Sequence, residues 1–159
     1  MNLAKNIVHI FTDGSCSGNP GVGGWCGIML YNDHKKIVSG HASQTTNQRM
    51  ELLSVIQSLR TVRNREKYTI IAYSDSAYVV NGINNKWVEK WEKNGWRTSS
   101  GEVKNQDLWE ELVRLVRSCH AITFEKVKGH DGVQYNEECD RIAHEETQKA
   151  KNILANQHK

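Results

Sequence analysis

A chain of 159 residues with 38% hydrophobic content has the size of one domain and enough apolar side chains to fill one core. Its 21 Lys and Arg against 18 Asp and Glu leave a net charge of +3, which excludes a strongly charged polyelectrolyte and hints only weakly at a polyanionic partner. Four scattered cysteines without a C-x-x-C pair exclude a disulfide framework, and no apolar run approaches the roughly 18 residues of a membrane span, so the reading is a cytoplasmic protein with reduced thiols and no membrane partner.

Residues 7–12 form a short apolar run, and residues 25–31 place Trp25, Met29 and Tyr31 on one side and Cys26, Ile28 and Leu30 on the other. After a turn at Asn32-Asp33, residues 36–40 read as a third strand, completing an antiparallel meander. Thr45 and Gln48 then have capping-box spacing ahead of a helical stripe of Leu52, Val55, Ile56 and Leu59. Residues 68–73 are apolar enough for a central parallel strand, and a short helix is expected from Ser76 to about Ile83. Residues 84–104 are polar, Trp-rich and irregular, and Leu108, Leu112, Leu115, Val116 and Cys119 follow as another helical stripe. Ile122 and Phe124 mark a fifth strand, and a last helix is expected from about Asn136 into the 150s. The order predicts an α/β domain: a five-stranded mixed sheet, an antiparallel meander plus parallel strands, flanked by helices.

Two carboxylates stand where buried strands end, Asp13 after residues 7–12 and Asp75 after residues 68–73. In open α/β sheets functional groups gather outside strand ends near the point where strand order reverses, so the two converge if their strands are neighbours. Glu51 lies outside its helix's apolar stripe, and Asp140 lies early in the last helix; either can turn to the same edge. Each acid alone has a plainer reading, as a helix cap or a favourable charge near a helix start. Four converging carboxylates repel one another unless a cation lies between them, and an oxygen-only donor set points to Mg²⁺ handling phosphate.

Several blocks, taken in order, resemble type 1 ribonuclease H, the ribonuclease HI family. They are Asp13-Gly14-Ser15 with Asn19-Pro20-Gly21, Thr45 to Leu52, Tyr73-Ser74-Asp75-Ser76, Val103-Lys104-Asn105 with Asp107-Leu108-Trp109, Val127-Lys128-Gly129-His130, and Asn136 with Cys139-Asp140. The resemblance implies a ribonuclease H-like fold spanning residues 1–159 as one domain, in the short form without an extra N-terminal hybrid-binding domain, acting as a monomer. It implies an endonuclease that hydrolyses the RNA strand of RNA–DNA hybrids and leaves 5′-phosphate and 3′-hydroxyl ends. Asp13, Glu51, Asp75 and Asp140 fall on the catalytic carboxylates and His130 on a loop histidine that relays protons or helps product leave. Two Mg²⁺ ions, with Mn²⁺ as a substitute, are expected: Asp13 shared by both, Asp140 toward the attacking water, Glu51 and Asp75 toward the leaving group.

The same resemblance places Cys16, Asn19, Asn47 and Gln48 against the RNA 2′-hydroxyls and Thr46 and Asn105 on a DNA phosphate. Lys86, Lys90, Lys93 and Arg97 recur at helical spacing, with Trp87, Trp91 and Trp96 beside them, within a segment of about residues 84–104. Taken alone, such a stripe interleaved with Glu89 and Glu92 reads as a solvated face and the tryptophans as packing; the resemblance makes the segment a basic protrusion that grips DNA phosphates. Ala77 stands where many relatives carry Gln, Gln44 where some carry Arg, and Val22 and Gln134-Tyr135 where prolines are common, so hybrid contacts and the geometry after His130 are expected to differ. The competing readings are an integrase or junction resolvase of the same superfamily, a non-catalytic hybrid-binding module, and a structural Ca²⁺ site.

Overall fold

The computed structural model describes residues 6–127 and 133–157. Three long strands open the chain: β1 (Ile7–Ser17), β2 (Gly21–Tyr31) and β3 (His34–Thr45). Helix α1 (Asn47–Thr61) leads through a 3₁₀ turn at Arg65–Lys67 to β4 (Thr69–Ser74) and α2 (Ala77–Asn84). Helix α3 (Trp87–Lys93) and a two-residue-strand hairpin, β5 (Arg97–Thr98) with β6 (Gly101–Glu102), precede α4 (Gln106–Arg117), β7 (Ala121–Lys126) and α5 (Val133–Gln157).

The main sheet has the order β3-β2-β1-β4-β7, antiparallel across the first three strands and parallel from β1 through β4 to β7. The mixed sheet expected from the sequence is present, and β4 lies between two parallel neighbours as its apolar run predicted. Because side chains alternate across a strand, β1 feeds two cores. Val8 and Ile10 join Ile70, Ala72, the Leu52/Val55/Ile56/Leu59 stripe of α1, and Leu112 and Leu115 of α4 in the larger one. Phe11 faces the other way and packs with Cys26, Ile28, Cys139 and Ala143 against α5. Each fully buried Leu or Ile contributes about 1.5–3 kcal/mol relative to exposure, so the two cores clamp β1 from both sides.

The structure corrects several local expectations. The α1 cap is Thr46, whose Oγ1 accepts from the Arg49 N–H at 3.2 Å, because Thr45 is still paired to Gly21 as the end of β3. Helix α5 begins at Val133, three residues before Asn136. Residues 84–104 are not irregular throughout: a seven-residue helix and a hairpin lie within them. The helix is too short to carry the expected stripe, since Lys86 is a left-handed residue (φ 56°) ahead of it and Arg97 sits in β5. Only Lys90 and Lys93 lie on the helix.

This segment is fastened to the body through Trp109, an α4 residue outside the predicted stripe and wholly buried. Its Nε1–H donates to the Tyr78 hydroxyl at 2.7 Å, and its ring meets Trp87 and Trp91 with centroids 6.2 and 5.7 Å away. Trp96 stacks onward from Trp91 at 5.8 Å. Trp109→Ala is expected to lower the unfolding free energy by about 3–5 kcal/mol in urea denaturation, and half-buried Trp96→Ala by clearly less; equal effects would mean that the cluster is not anchored at Trp109.

Candidate active site

Strands β1 and β4 run in parallel register only as far as Phe11 opposite Tyr73. Beyond that pair β4 turns into α2, capped by Ser76 Oγ accepting from the Val79 N–H, while β1 continues to Ser17 beside β2 alone. Asp13 is therefore not at the end of its strand, as the sequence suggested; it sits where the parallel pairing stops, opposite Cys26 of β2. Asp75 lies equally far beyond Tyr73, and the Thr12 hydroxyl ties the two chains by donating to the Tyr73 carbonyl at 3.0 Å.

Glu51 reaches this point because Gly14 lets α1 approach the strand. A Cβ on Gly14 would lie 2.5 Å from the Glu51 backbone nitrogen and 2.6 Å from the Met50 carbonyl carbon, so only glycine permits the contact. Carboxylate oxygens of Asp13, Glu51 and Asp75 all come within 4.8 Å of one another. Asp140 arrives from α5, held in place by the neighbouring Cys139 Sγ donating to the Phe11 carbonyl at 3.1 Å. Its carboxyl is near enough to Asp13 to raise the Asp13 pKa and remains largely exposed, so it forms the outer wall and is not part of the inner trio.

Burial first, then the charges of Asp75 and Asp140, push the Asp13 pKa from an ordinary 3.8 up to about 8, against the Gly14 N–H that donates to it at 2.9 Å. Burial and the neighbouring Asp13 and Asp75 raise Glu51 from 4.5 to about 9. Asp75, exposed at the mouth, is also raised, chiefly by its partial burial and then by Asp140, and is relieved first by its own backbone N–H and then by Lys126. Oε2 of Glu51 is buried and has no hydrogen-bond partner among the described residues. An all-oxygen donor set with one such orphaned atom, and with protons held far above their usual range, fits a hard divalent cation taking the protons' place.

The other sequence-predicted residues fall in two groups. Cys16, Asn19, Thr46, Asn47 and Gln48 surround the start of α1: Cys16 Sγ lies 3.5 Å from the Thr45 carbonyl, and Asn19 Oδ1 accepts from the Asn47 N–H at 3.1 Å. Asn105, left-handed at φ 62°, joins Thr46 through Arg49, which donates to Asn105 Oδ1 at 3.3 Å and grips Asp107 with both terminal nitrogens. Lys86, Lys90 and Lys93 form no ion pair among the described residues, because Glu89 and Glu92 turn to Arg117, 4.0 and 3.0 Å away. Trp87, Trp91 and Trp96 are half-buried in the aromatic cluster, so packing occupies most of their surface. The call on His130 lies outside the described residues.

Three residues of this region were not singled out in the sequence. Lys126 pairs in register with Ser74 and so sits beside Asp75, and His144 lies one turn beyond Asp140 with Nδ1 3.4 Å from its Oδ1. Arg49 is the third. An i,i+4 spacing from Asp140 was the only available signal for His144, and none existed for Lys126.

The model of the family described as RNase H matches residues 5–148. A ribonuclease H from Acetivibrio thermocellus is 52% identical over 143 residues, covering 89% of this chain and 95% of the relative. This chain belongs to the ribonuclease H family. Among solved structures, LC9-RNase H1, a type 1 RNase H with the type 2 active-site motif, aligns with a TM-score of 0.78 at 30% identity over 94% of this chain and 76% of that one. LC11-RNase H1 in complex with RNA/DNA hybrid aligns at 0.70 over 90% and 98%, and at 17% identity it bears on the fold alone. The ribonuclease H fold thus accounts for the sheet order and for the acids gathered where β1 and β4 part.

The sign of the pH effect follows from the raised values. Unfolded, Asp13 and Glu51 release their protons near 3.8 and 4.5; folded and metal-free, they keep them to about 8 and 9. The folded state binds more protons between those limits, so this pair's contribution is most favourable below the lower limit and is lost as pH rises through the upper one. Asp13→Asn should therefore unfold at higher temperature than the unsubstituted protein in EDTA, by a margin that grows from about pH 5 to about pH 9. Saturating Mg²⁺ should close the gap by stabilising only the unsubstituted protein, as thermal melts would show.

Proposed function

We propose that this ribonuclease H cleaves the RNA strand of RNA–DNA hybrids endonucleolytically, leaving 5′-phosphate and 3′-hydroxyl ends. The observation that carries the reading is the convergence of Asp13, Glu51 and Asp75, with Asp140 against Asp13, at the parting of two parallel strands. Family membership and a ribonuclease H relative at 52% identity support it. Asp13, Glu51, Asp75 and Asp140 would hold two divalent ions, Mg²⁺ with Mn²⁺ as a substitute. Bound there, such ions would supply Lewis acidity toward a phosphate and make a water more acidic.

The chain's own groups do the remaining work. Gly14 donates its N–H into the cluster and fixes the Asp13 rotamer, and Lys126 lowers the cost of charge on Asp75. Short side chains around the start of α1, Cys16, Asn19, Asn47 and Gln48, both donate and accept, which suits a 2′-hydroxyl in the wide minor groove of a hybrid. Thr46 and Asn105 would take a DNA phosphate, with Arg49 holding Asn105 in position. Lys86, Lys90 and Lys93, without an ion pair among the described residues because Glu89 and Glu92 turn to Arg117, would meet further phosphates, and His130 would relay protons or aid product release.

In an assay of end-labelled hybrid, RNA duplex and DNA duplex with Mg²⁺, only the RNA strand of the hybrid should be cut. Asp75→Asn should lower the rate by about 10³-fold or more with little change in melting temperature. Cleavage of all three substrates would point to a less selective nuclease, and hybrid binding without cleavage to a non-catalytic module. Lys90→Glu with Lys93→Glu should raise KM about tenfold and flatten the dependence of binding on salt, leaving kcat near its original value; an unchanged salt slope would remove the protrusion from the contact surface.

A further inference from the structure

Asn105 stands at the cap position of α4, where an Asn side chain ordinarily accepts from the first N–H groups of its helix. Here it makes no such bond. Its backbone is left-handed (φ 62°), and its side chain is spent on Arg49 and Tyr78 instead. A cap residue that leaves its own helix uncapped is held for another purpose.

The donor and acceptor roles in this group are forced by chemistry. A guanidinium only donates, so the atom 3.3 Å from Arg49 Nη1 is the amide oxygen, and Nδ2 therefore faces the Tyr78 hydroxyl, donating to it at 3.2 Å. An indole N–H only donates as well, and Trp109 Nε1 reaches the same hydroxyl oxygen at 2.7 Å. That oxygen thus receives Asn105 on one side and the anchor of the α3 segment on the other. The half-buried Tyr78 ring, at the start of α2, stands edge to face with Trp87 and Trp109, centroids 6.0 and 5.3 Å away.

Orientation decides what such an amide can bind. Flipped end for end, an Asn side chain keeps its shape but exchanges donor for acceptor, and an acceptor turned toward a phosphate repels it. With the oxygen on Arg49 and one N–H on Tyr78, the second N–H is the donor left to Asn105. Thr46 is in a similar state, because its Oγ1 accepts from the Arg49 backbone N–H at 3.2 Å and its own proton has no acceptor among the described residues. We propose that the Tyr78 hydroxyl is a positioning group for the DNA strand. It locks Asn105 with a donor outward and ties that residue to the aromatic ladder that places Lys90 and Lys93, so the two grips on the strand act as one body. The proposal rests on the reading that Asn105 takes a DNA phosphate, and it adds the group that keeps the amide able to do so.

Tyr78→Phe in the full chain removes one oxygen and keeps the ring. It should raise KM for RNA–DNA hybrid about threefold to tenfold and leave kcat unchanged. The specific readout is a set of hybrids that each carry one uncharged methylphosphonate linkage in the DNA strand. One linkage should cost the unsubstituted protein about tenfold in Kd, and the same linkage should cost Tyr78→Phe about twofold or less. Asn105→Ala should add little to Tyr78→Phe, since both remove one contact. A hydroxyl that serves only as the acceptor for the buried Trp109 N–H would lower the melting temperature of Tyr78→Phe and leave KM and the linkage profile alone; that result would overturn the proposal, as would full additivity of the two substitutions. If no DNA linkage matters to the unsubstituted protein, the phosphate reading of Asn105 fails first and takes this one with it. Nuclear magnetic resonance needs no variant: one Asn105 amide proton should show an Overhauser contact with the Tyr78 ring, and its absence would likewise end the proposal.

Discussion

Like charges in a half-dry cleft push apart, and the architecture of this protein is arranged to hold them together regardless. Asp13 is fixed on a strand clamped between two cores, with Ile10 packed on one face and Phe11 on the other. Glu51 is brought in by a helix resting on the bare backbone of Gly14, and Asp140 by a helix whose Cys139 bonds the Phe11 carbonyl. Rigid placement denies the two buried carboxylates, Asp13 and Glu51, the ordinary escape of swinging into water, while Asp75 and Asp140 stay exposed at the mouth. The cost appears instead as retained protons, with Asp13 and Glu51 titrating near 8 and 9. A site in that condition is primed to exchange protons for hard cations.

The charge of +3 spread over the whole chain says little, and its distribution says more. Acids are concentrated where β1 and β4 part. Elsewhere several of them are neutralised by arginines, Glu89 and Glu92 by Arg117 and Glu111 by Arg60 and Arg114. Lysines of the α3 segment thereby make no ion pair among the described residues, and Trp109 holds that segment to the body through a ladder of aromatic rings. The tryptophans serve placement and the lysines face outward, a division of labour that composition alone does not reveal.

Much of the site was legible before any coordinates. Asp13 and Asp75 follow apolar runs that could only be buried strands, and the stripe of Leu52, Val55, Ile56 and Leu59 faces the larger core. Local signals failed where a competing interaction was longer-ranged. Thr45 has cap spacing, yet its pairing with Gly21 extends β3 through it and leaves the cap to Thr46. Lys86 to Arg97 has helical spacing, yet the left-handed residues Lys86, Gly95 and Trp96 confine the helix to seven residues. Trp109 reads as a break in a Leu stripe and is in fact the largest fully buried side chain of its helix, because Gly82 of α2 makes room for its ring.

By itself the sequence determined which residues carry charge, where strands and helices begin to form, and, through ordered blocks of residues, the family. These are properties of near neighbours along the chain, set by side-chain alternation, periodicity and backbone preference. Tertiary structure alone decided that β1 and β4 pair only to Phe11 and Tyr73, that Lys126 stands beside Asp75, and that a buried Glu51 oxygen has no partner among the described residues. Each of those depends on distance between groups remote in the chain, and Coulomb energy and desolvation are functions of that distance and of what excludes water from it.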